Sequence, residues 1–465
     1  MIRPCNRSRG CQMVLVLCLI FRVLPAALTA SPHYVFAHYM VAFATYGENL
    51  AGYKREIQEA QAAGIDGFAL NVGAWDDVES YYKRRVALMY DAAEQLDTGF
   101  KLFFSVDYGQ PTNIVNMVQS YGNRSATLRE QGKIVLSTYG QNDVPSAGWP
   151  GLDWTNAVIG TLRSNGFRVF FIPYFFSDPV RELPSYANGE SILNKYGDLL
   201  DGLFYWGAGG LPFQLAGSNS NYNRAVHVAG KRFMASVAPA YWGMSQYTLG
   251  RRYYEFDGGE GLALQWEAII ANQPDWVEIC TWNDFYESTY VSPVEDPGLN
   301  FAELQSPRRY SHKGYLELSK FYILWYKTGQ RPWENRDALF YFYRTHPKDL
   351  PAANTNDAAV TWRFGEVQDM LYTTIFAKLP AQLEIDSGGV LSTNSVAMGI
   401  NHIRTPFAPG PQKMTLRRDN LAEIALQGPD VLSAIQVRNF FPTSGYAYGP
   451  DPTLPPPTNL RTSGN

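Results

Sequence analysis

Three carboxylates stand where apolar runs of the sequence end, and residues of this type can carry acid–base chemistry. Asp107 follows the run 101–106, while Asp284 and Glu287 lie in an aromatic tract, residues 282–288. In a barrel of parallel strands the reactive groups lie at the carboxyl ends of the strands. Hydrolysis of a glycosidic bond needs one carboxylic acid to protonate the leaving oxygen and one carboxylate to activate water or attack carbon. Asp284 and Glu287 are therefore the first candidates, and Asp107 is the third.

Each of these carboxylates also has a purely structural interpretation. Asp107, which precedes Gly109 and Pro111, could cap a following helix. Asp284 and Glu287 could belong to a solvated loop. However, the Trp, Phe and Tyr residues around them are unusual for a loop that only faces water. The sequence therefore favours a functional role for the pair in this tract.

Other polar and aromatic side chains near predicted strand ends could contact a substrate. His38 could equally be a buried histidine of a core strand, and His312 could belong to a helix start. Cys280 is interpreted as a small buried hydrophobe, because no general base stands near it at the spacing of an activated nucleophile. The candidate substrate contacts are His38, Tyr39, Asn71, Trp206, Trp242, Trp282, Asn283 and His312.

The elements that must position these residues follow an α/β pattern. From Tyr34 onward, short β-rich apolar runs alternate with longer amphipathic stretches, which favours a closed (β/α)8 barrel of roughly 250 residues or more. No Gly-rich phosphate loop follows the first run, which argues against a dinucleotide-binding fold. The predicted strands are 34–41, 67–72, 101–106, 133–138, 168–175, 203–206, 232–237 and 276–282. The predicted helices are 52–63, 78–95, 154–164, 192–199, 262–272 and 314–328.

The pattern changes after residue 330, where strand-like runs are separated by turn-rich segments. Runs at 338–343, 370–376, 395–400 and 434–440 predict a small C-terminal β-sandwich. The Pro-rich end of the chain is typical of disorder. We therefore expect a signal peptide at 1–30, a catalytic (β/α) barrel at 31–330, a β-sandwich accessory domain at 331–449 and a disordered tail at 450–465.

The first thirty residues are typical of a secretory signal peptide. Three arginines precede an apolar run at 13–21, and small residues follow up to Ala30. The run is too short to span a bilayer comfortably. Three of the four cysteines lie in this segment, so the mature chain would keep only Cys280 and form no internal disulfide. Asn123, in an Asn-Arg-Ser triplet, is a predicted glycosylation site, which is consistent with a secreted, extracellular or cell-wall protein.

The composition excludes some partners and permits others. With 39 basic and 43 acidic residues the net charge is -4, which provides no cationic surface for nucleic acid. The six histidines show no metal-ligand spacing, so we expect neither a metal nor another cofactor. Aromatic residues make up 14% of the chain, and such rings can stack on sugars, although large barrels also bury many rings. We expect a monomer with a polysaccharide as its partner and no stable membrane span.

Four blocks of the sequence stand out when they are taken together: VFAHYM at 35–40, AGIDGFALN at 63–71, FFSVD at 103–107 and TWNDFYES at 281–288. In this order, over about 35–332, they resemble glycoside hydrolase family 71, the fungal α-1,3-glucanases also called mutanases. The resemblance implies a (β/α) barrel followed by a β-sandwich, secretion or a wall location, and inverting endo-hydrolysis of α-1,3-glucan. It also implies that Asp107, Asp284 and Glu287 are the essential carboxylates and that His38 and Asn71 contact the sugar.

An inverting mechanism assigns different tasks to the carboxylates. It needs room for a water molecule and therefore predicts carboxyl groups roughly 6.5–9.5 Å apart. We expect Glu287 to be the general acid, because the aromatic rings beside it would remove water from its carboxyl group and favour the neutral form. Asp284 would be the general base, and Asp107 would hold or tune one of the two. A bell-shaped rate profile with an acidic optimum follows.

One departure from the family pattern leaves two other functions open. Tyr286 stands where the family usually has Gly, and a ring between two catalytic groups could reshape the subsite. The first alternative is a wall-associated glucan-binding protein that has lost turnover. The second is a glycosidase of the same mechanism that acts on another α-linked glycan, such as an α-mannoside, because the carboxylates determine the cleavage chemistry and the subsite rings select the sugar.

Overall fold

A curled, mostly parallel sheet with intervening helices forms the first part of the structure. The computed structural model describes residues 33–75, 80–143, 151–175, 183–243, 251–294, 309–332, 336–357 and 359–450. The predicted signal peptide and residues 451–465 of the predicted tail lie outside the described residues. The strands are β1 (Tyr34–Met40), β2 (Gly67–Val72), β3 (Lys101–Val106), β4 (Arg129–Glu130), β5 (Lys133–Gly140), β6 (Val169–Phe171), β7 (Tyr174–Phe175), β8 (Gly202–Phe204), β9 (Arg232–Val237), β10 (Tyr241–Gly243), β11 (Arg252–Tyr254) and β12 (Trp276–Ile279). The helices are α1 (Leu50–Ala62), α2 (Tyr81–Leu96), α3 (Pro111–Tyr121), α4 (Thr161–Ser164), α5 (Tyr186–Tyr196), α6 (Pro212–Val228), α7 (Gly258–Asn272) and α8 (Lys313–Thr328).

The strands of this sheet follow the order β8, β9, β12, β1, β2, β3, β5, and both β6 and β7 pair with β5. These pairs are parallel, whereas the short β4 runs antiparallel to β5. The N–H groups of Asp201 and Phe204 donate to the carbonyl groups of Phe171 and Pro173, each at 2.9 Å. These two bonds bring the ends of the sheet together. The predicted α/β architecture is confirmed and its sheet is curled, whereas full closure into an eight-stranded barrel stays a prediction.

Large rings fill one end of the space that the curled sheet encloses. The Phe36 and Trp276 rings, on neighbouring strands β1 and β12, pack edge to face with 5.8 Å between their centroids. Side chains alternate along a strand, so residues two positions further on face the same side. His38 and Glu278 occupy those positions. The polar side chains therefore lie closer to the carboxyl ends of the strands than the rings do.

Local signals explain several helix starts, although two of the helices, α3 and α6, were not predicted. Asn49 caps α1 by accepting from the Gly52 N–H at 2.9 Å. Helix α3 begins with Pro111, whose missing N–H costs nothing in the first turn. Helix α6 lacks an apolar stripe because it buries amides, among them Asn219, which exchanges hydrogen bonds of 2.9 and 3.0 Å with the Ser236 backbone.

Two separate antiparallel sheets form the C-terminal region, in the strand orders β18, β15, β13, β21 and β17, β16, β19, β20. They share a core that includes Leu339 and Ile375 from one sheet and Leu383 and Met414 from the other. The strands are β13 (Ala338–Arg344), β14 (Thr361–Trp362), β15 (Met370–Ala377), β16 (Ala381–Ser387), β17 (Val390–Val396), β18 (Gly399–Pro406), β19 (Gly410–Arg418), β20 (Leu421–Val431) and β21 (Pro442–Tyr448). The short strand β14 instead joins β11 and β10 in a third sheet.

Two of the predicted C-terminal strands are wrong. The run 395–400 spans the turn between β17 and β18, and the run 434–440 contains an isolated bridge at Ile435 instead of a strand. Apolar runs at the end of one strand and the start of the next look continuous in sequence, so periodicity alone does not find the turn. The proposed boundary between the two regions at residue 330 stays a prediction.

The C-terminal sheets pack closely on the helices of the first region. A Cβ atom added to Gly314, at the start of α8, would lie 2.9 Å from the Gly445 nitrogen of β21. A Cβ atom at Gly259 of α7 would lie 2.5 Å from the Phe342 ring of β13. Glycine at these positions allows the backbones to approach, so the helices and the β-sheets hold each other in place.

A buried ion cluster ties strand β11 to the C-terminal region. The Asp357 side chain is fully buried and accepts hydrogen bonds from Arg251 at 2.6 Å and from the guanidinium and backbone N–H groups of Arg438 at 2.9 and 3.0 Å. Only 5% of the Arg251 side chain is exposed. Arg251 is adjacent to Arg252, so this cluster also fixes the strand that approaches the carboxylates described below.

We predict that Asp357→Asn lowers the free energy of unfolding by about 3–5 kcal/mol, because it removes the carboxylate charge that pairs with the buried Arg251 guanidinium. Denaturant unfolding of the two proteins side by side measures the difference. Asp349→Asn is the matched control, since its carboxylate is 72% exposed in its pair with Lys348 and such pairs contribute about 0–1 kcal/mol. Equal effects of the two substitutions would contradict the proposed importance of the cluster.

Candidate active site

The turn after β12 holds the Asp284 carboxyl group in place with hydrogen bonds of its own backbone. The Asp284 N–H donates to the Thr281 hydroxyl at 2.8 Å. One carboxyl oxygen, Oδ1, accepts from the N–H groups of Tyr286 at 2.9 Å and Glu287 at 3.0 Å. The Trp282 N–H donates to the His38 carbonyl at 2.7 Å, which joins the turn to strand β1. The local sequence thus fixes both the position and the orientation of this carboxyl group.

Burial dominates the electrostatics of Asp284. The residue is 6% exposed, and removal from water, followed by the nearby Glu287 and Asp107 charges, raises its pKa to about 8. The two backbone hydrogen bonds act in the opposite direction by stabilising the charged form. Two of the predicted carboxylates, Asp107 and Glu287, therefore lie close enough to the third, Asp284, for their charges to raise its pKa.

The aromatic rings of residues 282–288 do not remove water from Glu287, contrary to our expectation. The rings of the aromatic tract were expected to remove water from Glu287, but 32% of its side chain is exposed, and the strong burial falls on Asp284. Tyr286 packs on Phe43 with 5.4 Å between the ring centroids, and Phe285 is fully buried beside Tyr290. The rings of the tract form a core beneath the turn.

Two residues that the sequence did not single out support Glu287. The Tyr241 hydroxyl donates to Glu287 Oε1 at 2.6 Å, and it accepts from Arg252 Nε at 3.0 Å. The Arg252 guanidinium lies 3.8 Å from the same carboxyl oxygen. Burial raises the pKa of Tyr241 well above its usual range, so the phenol remains a donor. The position of Tyr241 just after strand β9 was an available signal, whereas nothing in the sequence pointed to Arg252.

His38 is the predicted contact with the most unusual surroundings. It is fully buried, its Nδ1 lies 2.7 Å from Glu278 Oε1, and its ring packs edge to face on Trp206 at 4.6 Å. Within the described part of the chain, His38 Nε2, Glu278 Oε2 and Asn71 Oδ1 have no hydrogen-bond partner. Burial raises the pKa of Glu278. Glu278 was not predicted. The sequence did contain a usable signal, because Glu278 lies two residues after Trp276 on the same strand, so the two side chains face the same side.

Three of the predicted substrate contacts form hydrogen bonds within the protein beside the site. The Tyr39 hydroxyl and the Trp282 Nε1–H both donate to the buried Glu56 carboxyl group, each at 2.9 Å. The Asn283 amide accepts from the Met40 N–H at 2.7 Å and donates to the Phe43 carbonyl at 3.1 Å. All three side chains are almost fully buried, which favours a supporting role over direct contact with a sugar.

Trp242 and His312 are also in the core. Trp242 packs on Phe441 at 5.0 Å, and His312 stacks on Tyr290 at 3.9 Å between ring centroids. Burial lowers the pKa of His312 to about 4, so the ring is neutral at physiological pH. These two residues join the turn that carries Asp284 to the C-terminal strands, and their contact with a substrate stays a prediction.

The remaining predictions concern metals, membranes and modification. No group of three or more potential metal ligands occurs among the described residues, and no helix among them is long and apolar enough to cross a membrane. Cys280 is buried and unpaired with another cysteine, as its sequence context indicated. Asn123 is exposed in the turn after α3, so its side chain is accessible for the predicted glycosylation.

Known proteins resemble this chain in sequence. Residues 31–451 match the sequence model of Glycosyl hydrolase family 71. The chain is 28% identical to glucan endo-1,3-alpha-glucosidase agn1 of Schizosaccharomyces pombe over 94% of this chain and 100% of that protein. It is 27% identical to the mutanase Pc12g07500 of Penicillium rubens over 85% of this chain and 84% of that protein. A solved GH99 endo-alpha-mannosidase from Bacteroides thetaiotaomicron superposes with a TM-score of 0.47 at 14% identity, covering 64% of this chain and 99% of that one.

We predict that Tyr241→Phe lowers the catalytic rate about 10-fold or more, because a hydrogen bond to a charged group contributes about 1.5–3 kcal/mol. The ring remains, so packing should change little. Tyr343→Phe is a matched control that removes a phenol hydrogen bond to the Pro429 carbonyl in the C-terminal sheets. Steady-state rates at saturating substrate distinguish the variants, and an unchanged rate for Tyr241→Phe would show that this phenol does not support Glu287.

Proposed function

Because the chain belongs to glycosyl hydrolase family 71 and is therefore a glycoside hydrolase, we propose that it cleaves α-1,3-glucan within cell-wall polysaccharide, acting inside the chain. The names of the relatives support this substrate. The observation that carries the proposal is the buried Asp284 carboxyl group beside Glu287 and Asp107. This arrangement can keep one carboxyl group protonated while another is ionised, as acid–base hydrolysis requires.

The proposed reaction is a single displacement with inversion. One carboxylate of the Asp284 and Glu287 pair takes a proton from water, whose oxygen bonds to the anomeric carbon. The bond from that carbon to the glycosidic oxygen breaks, and the other member of the pair gives its proton to this oxygen. Asp107 adds negative charge that favours retention of a proton by Asp284, while Tyr241 and Arg252 orient Glu287.

The pair should be treated as one titrating unit, because each charge influences the other. Burial favours the proton on Asp284 in the substrate-free protein. As the pH rises through about 8, Asp284 ionises and the pair loses its proton. The rate should therefore fall on the alkaline side of this pH and also at low pH, where both carboxyl groups are protonated.

The finer architecture and location form part of the same proposal. The two hydrogen bonds between residues 171–173 and 201–204 support a closed (β/α)8 barrel over 31–330. The core shared by the two C-terminal sheets supports a β-sandwich over 331–449. The signal-like first thirty residues, the exposed Asn123 and a relative named ascus wall endo-1,3-alpha-glucanase support secretion to the cell wall.

Tyr286 motivates the alternative of a glucan-binding protein without turnover. Its ring packs on Phe43, and the exposed part of Glu287 is available to a substrate, which supports the enzyme over the binder. The decisive experiment is release of soluble reducing ends from insoluble α-1,3-glucan, compared with α-1,4-linked and mixed-linkage glucans and an α-mannan. The proposal predicts the highest initial rate on α-1,3-glucan. Binding without release would support the binder, and faster cleavage of another glycan would support the third function.

We predict that Asp284→Asn and Glu287→Gln each abolish hydrolysis of unactivated glucan, because either change removes one half of the acid–base pair. On a substrate whose leaving group needs no protonation, the acid variant should retain activity. The base variant should be rescued by azide and yield a glycosyl azide of inverted configuration. One of the two variants should retain activity on the activated substrate, and the other should be rescued by azide. Retained glucanase activity in either variant, or the same rescue pattern in both, would contradict the assignment of the pair.

A further inference from the structure

A cleft lies where the starts of two helices meet the C-terminal sheets, and none of the residues assigned above lines it. It measures about 280 Å³ and is lined by the first residues of α6 and α7, the loop before β15 and the end of β18. The residues on which the argument depends are Phe213, Glu255, Glu260, Leu264, Glu366 and Arg404.

The lining combines an apolar surface with hydrogen-bonding groups. Phe213 is 62% exposed and Leu264 is 39% exposed, which is unusual for two large apolar side chains that line the same cleft. Glu255 is only 9% exposed, and its carboxyl group is held by the Gln368 N–H at 2.9 Å. Arg404 is fixed by Glu260 at 2.8 Å. An aromatic face with fixed polar groups beside it suits a sugar, which presents both C–H and hydroxyl groups.

The charge of the cleft limits the ligand class. Carboxylates outnumber the one guanidinium group, so an anionic ligand would be repelled. No cluster of three or more potential metal ligands occurs among the described residues. The carboxylates of Glu260 and Asp257 already form ion pairs with Arg404. A neutral polyhydroxylated chain therefore fits this lining better than a phosphate, a nucleic acid or a divalent cation.

The cleft lies on the same side of the curled sheet as the catalytic carboxylates. Helix α6 begins after the carboxyl end of β8, and Asp107 and Asp284 follow the carboxyl ends of β3 and β12. The two places are also linked along the chain, because strand β11 begins with Arg252, which lies beside Glu287. Glu255 directly follows this strand, three residues after Arg252 and roughly 10 Å away along an extended chain. A polymer bound at the carboxylates could therefore extend to this cleft.

We propose that this cleft is a second binding site for a neutral polysaccharide chain, which holds a polymeric substrate next to the active site. The inference rests on the proposed function, since it assumes that the substrate is a polymer. It assigns Phe213 the role of a sugar-stacking surface and Glu366 that of a hydroxyl acceptor. Neither residue belongs to the catalytic machinery.

The test uses the full chain with Phe213→Ala, Glu366→Ala and, as a matched control, Leu421→Ala, which truncates a 71% exposed side chain in the C-terminal sheets. Retention on insoluble α-1,3-glucan is measured in a Glu287→Gln background, and hydrolysis of a short soluble α-1,3-oligosaccharide is measured in the otherwise unchanged protein. Phe213→Ala should weaken retention about three- to tenfold, as expected for loss of an aromatic contact. Glu366→Ala should weaken it less.

The control should bind like the parent protein, and all three variants should cleave the short oligosaccharide at the parent rate. Retention of Phe213→Ala equal to that of the control would overturn the second site while leaving the proposed function intact. Loss of oligosaccharide cleavage in Phe213→Ala would also overturn it, by showing that the cleft belongs to the active site. If the parent protein cleaves neither oligosaccharide nor polymer, the proposed function fails, and the inference fails with it.

Discussion

The site depends on keeping the Asp284 carboxyl group out of water beside two other carboxylates. In bulk water, Asp284 and Glu287 would both be ionised at neutral pH, and neither could donate a proton. Burial raises the pKa of Asp284 to about 8, whereas Glu287 remains partly exposed and linked to Tyr241. Two carboxyl groups only three positions apart in sequence thus occupy different environments. In the proposed reaction, this difference, more than the presence of the two residues, allows one carboxyl group to donate a proton while the other accepts one.

The rest of the molecule maintains that difference. Glu56 receives hydrogen bonds from Tyr39 and Trp282 and so holds the aromatic tract beneath the turn. The buried Asp357 cluster fixes the strand that presents Arg252. Residues of the C-terminal region therefore support the proposed active site from a distance. The C-terminal sheets also pack closely on α7 and α8, which holds them against the region of the curled sheet.

The sequence predicts the parallel strands well, because strands that are buried on both faces read as apolar runs. The three carboxylates that follow these runs do come close together in the structure. Prediction from the sequence fails where buried polar groups replace apolar side chains. Helix α6 buries Asn219 instead of an apolar stripe, so its periodicity is weak. Arg252 reaches Glu287 only through tertiary folding. The burial of Asp284 in place of Glu287 was also missed, because an aromatic-rich sequence shows that rings are present and does not show which carboxyl group they cover.

The most direct test of this account is an infrared titration of the substrate-free protein, in which the spectrum of Asp284→Asn is subtracted from that of the parent. The account predicts a carbonyl band of a protonated carboxylic acid that disappears on Asp284→Asn and is lost from the parent as the pH rises through about 8. If the difference spectrum instead shows an Asp284 carboxylate that is already ionised in the range typical of exposed aspartates, near pH ~4, burial does not retain the proton and the central claim is contradicted.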